Sequence, residues 1–220
     1  SDASHELRTP LAVIKGTMEV LIRKPRNQQE YEEKIQFCIS EVDRLNHMVD
    51  QLLLLARFEN QKQNVKQETI YLNALVLDNL TRFSEKSENK KLKIKTEFTE
   101  DYYLISDNYL VSIIISNLIS NAIKYSNPNG EIAIELGKTN DEVTFSITDY
   151  GVGIAKNDLD KIFNSFYRSD VSNHPEIKGT GLGLSIVKRL CDLLRIKISV
   201  ESRINEKTKF ILQFSSAKLK

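Results

Sequence analysis

The sequence predicts two domains of different class. Residues 1–60 read as an all-α helical hairpin that pairs with a second copy into a dimeric four-helix bundle. Residues 65–220 read as an α/β sandwich with a mixed, largely antiparallel sheet and helices on one face, reached through a linker at 61–64. Three observations carry this. Apolar residues recur every three or four positions up to Ala56. Short alternating, β-branched runs take over from Glu68. Five of the eight glycines crowd into two stretches, 149–154 and 178–187.

Bulk properties set the frame. A chain of 220 residues suits one or two compact units, and 40% hydrophobic with 28% charged residues is an ordinary globular composition. A formal net charge of +1 gives no electrostatic argument for binding nucleic acid, so no nucleic-acid partner is expected. Cys38 and Cys191 lie far apart in apolar helical patterns, as expected of buried thiols in a reducing compartment. No run approaches the ~18 apolar residues of a membrane span, and the start at Ser1 without methionine predicts a fragment.

In chain order, Leu7, Leu11, Ile14, Met18, Leu21 and Ile22 follow the spacing of a helix packed along a seam. Pro25, in "RKPRNQQ" (23–29), ends it. Tyr31, Ile35, Cys38, Val42, Leu45, Val49, Leu52 and Ala56 then keep heptad spacing, so two helices form an antiparallel hairpin. So narrow a stripe does not bury both helices. A second copy is the expected solution, in preference to packing on the chain's own second domain. Strands are predicted at "ETIYL", "KLKIKTEF", "YYLIS", "EIAIEL", "EVTFSIT", "IKISVES" and "TKFILQF", and helices near 72–89, 108–125 and 181–194.

Helix 108–125 is apolar nearly all round, yet Asn117, Asn121 and Lys124 share one narrow face at i, i+4 and i+7. Buried polar groups need partners, and a ligand rich in oxygens, or a hydrated cation, would supply them; the alternative is a solvent-facing stripe. Asp149 ends a strand, with Gly151 and Gly153 after it where a base or ribose can lie against bare backbone. The second glycine cluster opens a helix, whose N-terminus is a ready phosphate site. Neither GxxxxGK[ST] nor GxGxxG is present. The clusters and the Asn stripe, with about 25 residues between the clusters, predict a nucleotide pocket closed by a lid.

These residues resemble a known family. "SHELRTPL", "NLISNAIKY", "DYGVGI", "IFNSFYR" and "GTGLGLSIV" are similar, in order and spacing, to the H, N, G1, F and G2 boxes of bacterial sensor histidine kinases. The resemblance implies a dimerisation and histidine-phosphotransfer domain over 1–60. It implies an ATP-binding domain of the gyrase, heat-shock chaperone, kinase and mismatch-repair type over 65–220. ATP and Mg²⁺ are the implied cofactors, a homodimer and a response-regulator receiver domain the implied partners. A sensor region upstream of Ser1 and a cytoplasmic location in a membrane-anchored protein follow from the same resemblance.

Box by box, the resemblance makes Asn121 the Mg²⁺ ligand, with Asn117 beside it, Lys124 reaching the phosphates and Tyr125 near the adenine. Asp149 would accept the adenine amino hydrogen bond, with Gly151 and Gly153 letting the base lie close. Phe163 and Phe166 would anchor the F box, and Arg168 would contact phosphate. Gly179, Gly181 and Gly183 would shape the lid hinge and the helix start, with Leu182 and Leu184 among the nucleotide-contacting residues. The family's usual glycines are replaced by Lys178, by Arg195 and Ile196, and by Lys207 before Thr208, which bears on loop shape.

On a helical wheel His5 points about 150° from the Leu11 and Met18 stripe, with Thr9 on the same outward side. Alone it reads as a solvated surface residue; beside an ATP site it reads as a phosphoacceptor. Neutral imidazole, with an ordinary pKa of about 6.5, has a nucleophilic nitrogen near neutral pH. Glu6 would orient it or take its proton. Thr9 matches the family position that holds a water for dephosphorylating the regulator, and His47 and His174 read as non-catalytic. Two alternatives stay open: a protein acting mainly as a phosphatase, and a nucleotide-gated interaction module without phosphoryl transfer.

Overall fold

In the computed structural model, which describes residues 2–60, 65–139, 142–169 and 179–215, the chain divides into two units at the 60/61 boundary. The predicted linker, His174 and Lys178 lie outside the described residues.

The first unit is a hairpin of α1 (Asp2–Ile22) and α2 (Gln28–Asn60). Pro10 sits inside α1, where its missing N–H leaves the Glu6 carbonyl without the usual i→i−4 partner. The turn is held by side chains. Asn27 Oδ1 accepts from the Glu30 N–H at 2.8 Å while its Nδ2 donates back to Glu30 Oε1, a reciprocal N-cap. Arg26 joins Glu30 to the Val20 carbonyl in the last turn of α1. The predicted stripe splits in two. Leu21 and Cys38 are buried, as is Met48 outside the stripe, whereas Leu11 (55% exposed), Met18, Ile22 (83%), Ile35, Val42 and Val49 are open.

The second unit holds all seven predicted strands: β1 (Glu68–Tyr71), β2 (Lys93–Phe98), β3 (Tyr103–Ser106), β4 (Glu131–Thr139), β5 (Glu142–Asp149), β6 (Lys197–Arg203) and β7 (Lys207–Phe214). Five form one sheet in the order β2-β4-β5-β7-β6, parallel only between β2 and β4. β1 and β3 pair separately as an antiparallel ribbon. The single helix predicted over 72–89 is two, α3 (Leu72–Arg82) and α4 (Ser84–Asn89), broken at Phe83. α5 (Asn108–Tyr125) is capped by Asp107, whose side chain accepts from the Leu110 N–H. α6 (Gly183–Leu194) ends on Arg195 at φ 58°, a left-handed conformation costly for a residue with a side chain.

The core lies between α5, α6 and one face of the sheet. Alternation sends Phe145 and Ile147 of β5 inward beside Ile134 and Leu136 of β4 and Phe210 and Leu212 of β7. On the opposite face Glu135 accepts from Ser146 Oγ and Lys209 Nζ, which holds its carboxyl below the usual range.

Candidate functional site

The site begins where the inward row of β5 ends. Positions 145, 147 and 149 share one face, so after Phe145 and Ile147 the next inward side chain is the carboxylate of Asp149. Ile94, Ile132, Asp149, Thr208 and Ser202 form one row across the sheet. Asp149 is 4% exposed, and its Oδ1 is buried with no hydrogen-bond partner. Burial pushes its pKa up from 3.8 to about 7, opposed by backbone N–H groups of Gly151 and Asp149 and by the charge of Lys90.

Asp149 lines a cavity of about 260 Å³. Asn121 and Tyr125 of α5 line it, with Asp149, Gly153, Arg168 and Leu184, so six of the predicted site residues meet in one space. Gly151 stands behind it, buried, bridged to Ser126. A Cβ there would strike the Tyr125 carbonyl, and one on Gly153 (φ +69°) the Arg203 carbonyl, so both positions require bare backbone.

Other predicted residues stand around this space. Lys124 Nζ donates to the Tyr125 hydroxyl at 3.2 Å and lies 4.7 Å from its ring centre; a Cβ on Gly179 would collide with that ammonium. Burial pushes the Tyr125 phenol up, and the Arg168 guanidinium opposes it. Asn117 Nδ2 donates to Ile113 O, while its Oδ1 faces Gly183, where a Cβ would come within 2.8 Å. Gly181 (φ +70°) accepts at its carbonyl from the Phe166 N–H at 2.9 Å, which ties the F-box segment to the start of α6. Leu182 is fully buried at the N-cap of α6, a helix start with no side-chain cap. Phe163 is half-buried.

In the hairpin unit His5 is exposed, Glu6 half-buried and Thr9 exposed, with the Thr9 hydroxyl donating to the His5 carbonyl at 3.2 Å. His47 lies exposed on α2.

Residues 106–218 match the family described as Histidine kinase-, DNA gyrase B-, and HSP90-like ATPase, and residues 1–61 match the His Kinase A (phospho-acceptor) domain. The chain belongs to the histidine kinase family. It is 31% identical to the sensor protein IrlS of Burkholderia pseudomallei over 97% of its own length and 46% of that protein's. It is likewise 31% identical to the signal transduction histidine-protein kinase ArlS of Staphylococcus aureus, over 97% and 47%. It thus spans about half the length of these curated relatives. Among solved structures, histidine kinase AdeS of Acinetobacter baumannii superposes with a TM-score of 0.79 at 25% identity, covering 97% of this chain and 98% of that one.

Several cavity residues of this histidine kinase escape sequence reasoning. Thr208 and Phe210 lie in the inward alternation of β7, and a register with Asp149 would have found them. Ile204 and Asn205, at the β6–β7 turn, reach the cavity because the Asn205 N–H bonds Val152 O at 2.9 Å. Tyr167, held by its hydroxyl to Asp158 Oδ1 at 2.7 Å, closes another side. No local signal marks such long-range contacts. Among the described residues no group of three or more His, Cys, Asp or Glu side chains could hold a metal alone. The oxygen of Asn121 fits Mg²⁺ in the other common way, where one or two protein oxygens join phosphate and water ligands.

Proposed function

We propose that this chain is the catalytic core of a protein-histidine kinase that transfers the γ-phosphoryl group of ATP to His5 and then to an aspartate of a response-regulator receiver domain. The observation that carries the reading is Asp149: a carboxylate buried in the wall of a cavity with one oxygen unpartnered. An unmade buried hydrogen bond costs about 1–3 kcal/mol, and the amino group of an adenine supplies the missing donor. Asn121 would hold Mg²⁺, which would offset the charge of the phosphates. Lys124, Arg168 and the uncapped start of α6 would receive the phosphates.

His5 is suited to its part because it is exposed and not a core residue. Its neutral imidazole attacks the γ-phosphorus, the bond to the β-phosphate oxygen breaks, ADP leaves, and Glu6 draws off the ring proton. The exposed apolar side chains Leu11, Met18, Ile22, Ile35, Val42 and Val49 support a homodimer, in which a second copy buries them. Thr9, exposed one turn from His5, supports a second activity on the same surface, positioning water for dephosphorylation of the regulator. A cytoplasmic place for this core in a membrane-anchored sensor belongs to the same reading, supported by relatives named as sensor proteins.

Incubation with γ-labelled ATP and Mg²⁺ tests the proposal. Acid-labile protein label that disappears in both His5→Ala and Asn121→Ala is the expected result. Nucleotide binding without label, from a dimeric preparation, would replace the kinase with a nucleotide-gated interaction module.

A further inference from the structure

The C-terminal end of α5 presents Asn121 and Tyr125 to the cavity, and its four final carbonyls have no intrahelical partners of their own. The structure accounts for each. Ala122 O accepts from the Ser126 N–H (3.0 Å) and Ser126 Oγ (2.7 Å), and Tyr125 O accepts from the Val152 N–H at 3.3 Å. The other two, Ile123 O and Lys124 O, accept from Lys90 Nζ at 3.0 and 2.8 Å, and the same ammonium reaches Ser126 O at 2.8 Å. Lys90 lies between α4 and β2, 34 residues before Lys124. Its own carbonyl accepts from the Asn129 N–H at 2.9 Å, so the turn is fastened to the segment after α5 from both sides. A cation on three carbonyls at a helix C-terminus lies where the helix dipole is negative.

We propose that Lys90 is a positioning residue for nucleotide binding: its ammonium holds the last turn of α5 in register with the 149–153 loop and lends positive charge to the Asp149 end of the site. The proposal rests on the kinase reading of the cavity. It predicts two linked effects. Without the ammonium, Ile123 O and Lys124 O lose their donor, and Tyr125, whose carbonyl packs on Gly151 and Val152, loses its anchor. Without the charge, Asp149 holds its proton to higher pH, because Lys90 is the side-chain charge that opposes the effect of burial there. The other titratable side chains on the cavity wall, Tyr125, Asp158, Tyr167 and Arg168, remain in place.

The test uses the full 220-residue chain as wild type, Lys90→Met and Lys90→Arg. The ¹³Cγ signal of Asp149, assigned by its loss in Asp149→Asn, is titrated without nucleotide. Affinity for the Mg²⁺ complex of a non-hydrolysable ATP analogue is measured over the same pH range. Lys90→Met raises the Asp149 midpoint above about 7. A higher midpoint lowers the ionised fraction at pH 7, and the affinity there falls with it. Lys90→Arg, which keeps the charge, restores the midpoint. If Lys90→Met does not fold, Lys90→Gln, which keeps a donor for the carbonyls, carries the same expectation. An unshifted midpoint in an uncharged variant, with wild-type binding intact, overturns this proposal alone and leaves Lys90 as a helix cap. A wild type that binds no nucleotide at any pH overturns the kinase reading and this proposal with it.

Discussion

Replacing Asp149 with Asn separates what the site needs from what the fold tolerates. The carboxyl has a pKa of 3.8 unfolded and about 7 in the buried native site. The native value is the higher, so the stability this group contributes is complete below about pH 3.8 and is lost as pH rises through about 7. A shift of about three units at about 1.36 kcal/mol each makes the ionised carboxylate cost about 4 kcal/mol at pH 8. At pH 5 the cost is about 2 kcal/mol, since only about one unit separates that pH from the unfolded value. The neutral amide put in its place carries no such charge. Asp149→Asn therefore stabilises the nucleotide-free 61–220 unit, with an increment about 2–3 kcal/mol larger at pH 8 than at pH 5. By calorimetry this is a rise in thermal midpoint of several degrees that shrinks on acidification. The same variant loses a charge-assisted acceptor for the base, worth about 1.5–3 kcal/mol, so nucleotide affinity falls roughly 10- to 150-fold. An equal stabilisation at pH 5 and pH 8, or undiminished nucleotide binding, would refute the argument.

Gly151→Ala places a Cβ on the Tyr125 carbonyl, where backbone meets backbone and nothing flexible yields, so urea unfolding should show a loss of about 1–3 kcal/mol together with weaker nucleotide binding. Gly16→Ala in α1 meets nothing within 4 Å and should gain about 1 kcal/mol from helix propensity, a gain that disappears if that space is needed elsewhere. Met18→Asp puts a charge on the open face of α1 and should turn a dimer into a monomer by sedimentation velocity, with autophosphorylation falling too if the acceptor and the ATP site belong to different copies.

The strands were legible because each is a short β-branched run bounded by turn residues, and all seven occur where the sequence placed them. The break at Phe83 was not, since neither Gly nor Pro marks it. In α2 the heptad was read correctly as apolar, yet Met48, absent from the predicted stripe, is completely buried while Val42 and Val49 are open. Periodicity reports which positions are apolar; it does not report which of two adjacent faces meets the hairpin partner. The cavity divides in the same way. Asn121, Tyr125, Asp149, Gly153 and Arg168 sit in boxes with strong local composition, whereas Ile204, Asn205 and Tyr167 arrive through contacts across sequence.

The two halves of the proposed reaction place opposite demands on the chain, and the structure meets them in opposite ways. A nucleotide site needs groups held still before the ligand arrives, since ordering them on binding would subtract from affinity. Here that stillness comes from backbone packed on backbone: Gly151 on Tyr125, Gly153 on Arg203, Gly181 on Phe166, and Lys90 on three carbonyls. Inside such a frame a carboxylate can remain buried with one oxygen unpartnered, because relaxation toward water would require several of these contacts to open together. An acceptor histidine has to be reached by more than one partner, and burial would prevent that. His5 accordingly lies on an exposed helical face, with Pro10 interrupting the hydrogen-bond ladder of α1 one turn on. In the proposed reaction, rigidity is concentrated where the nucleotide would be read, and accessibility where the phosphoryl group would be handed on.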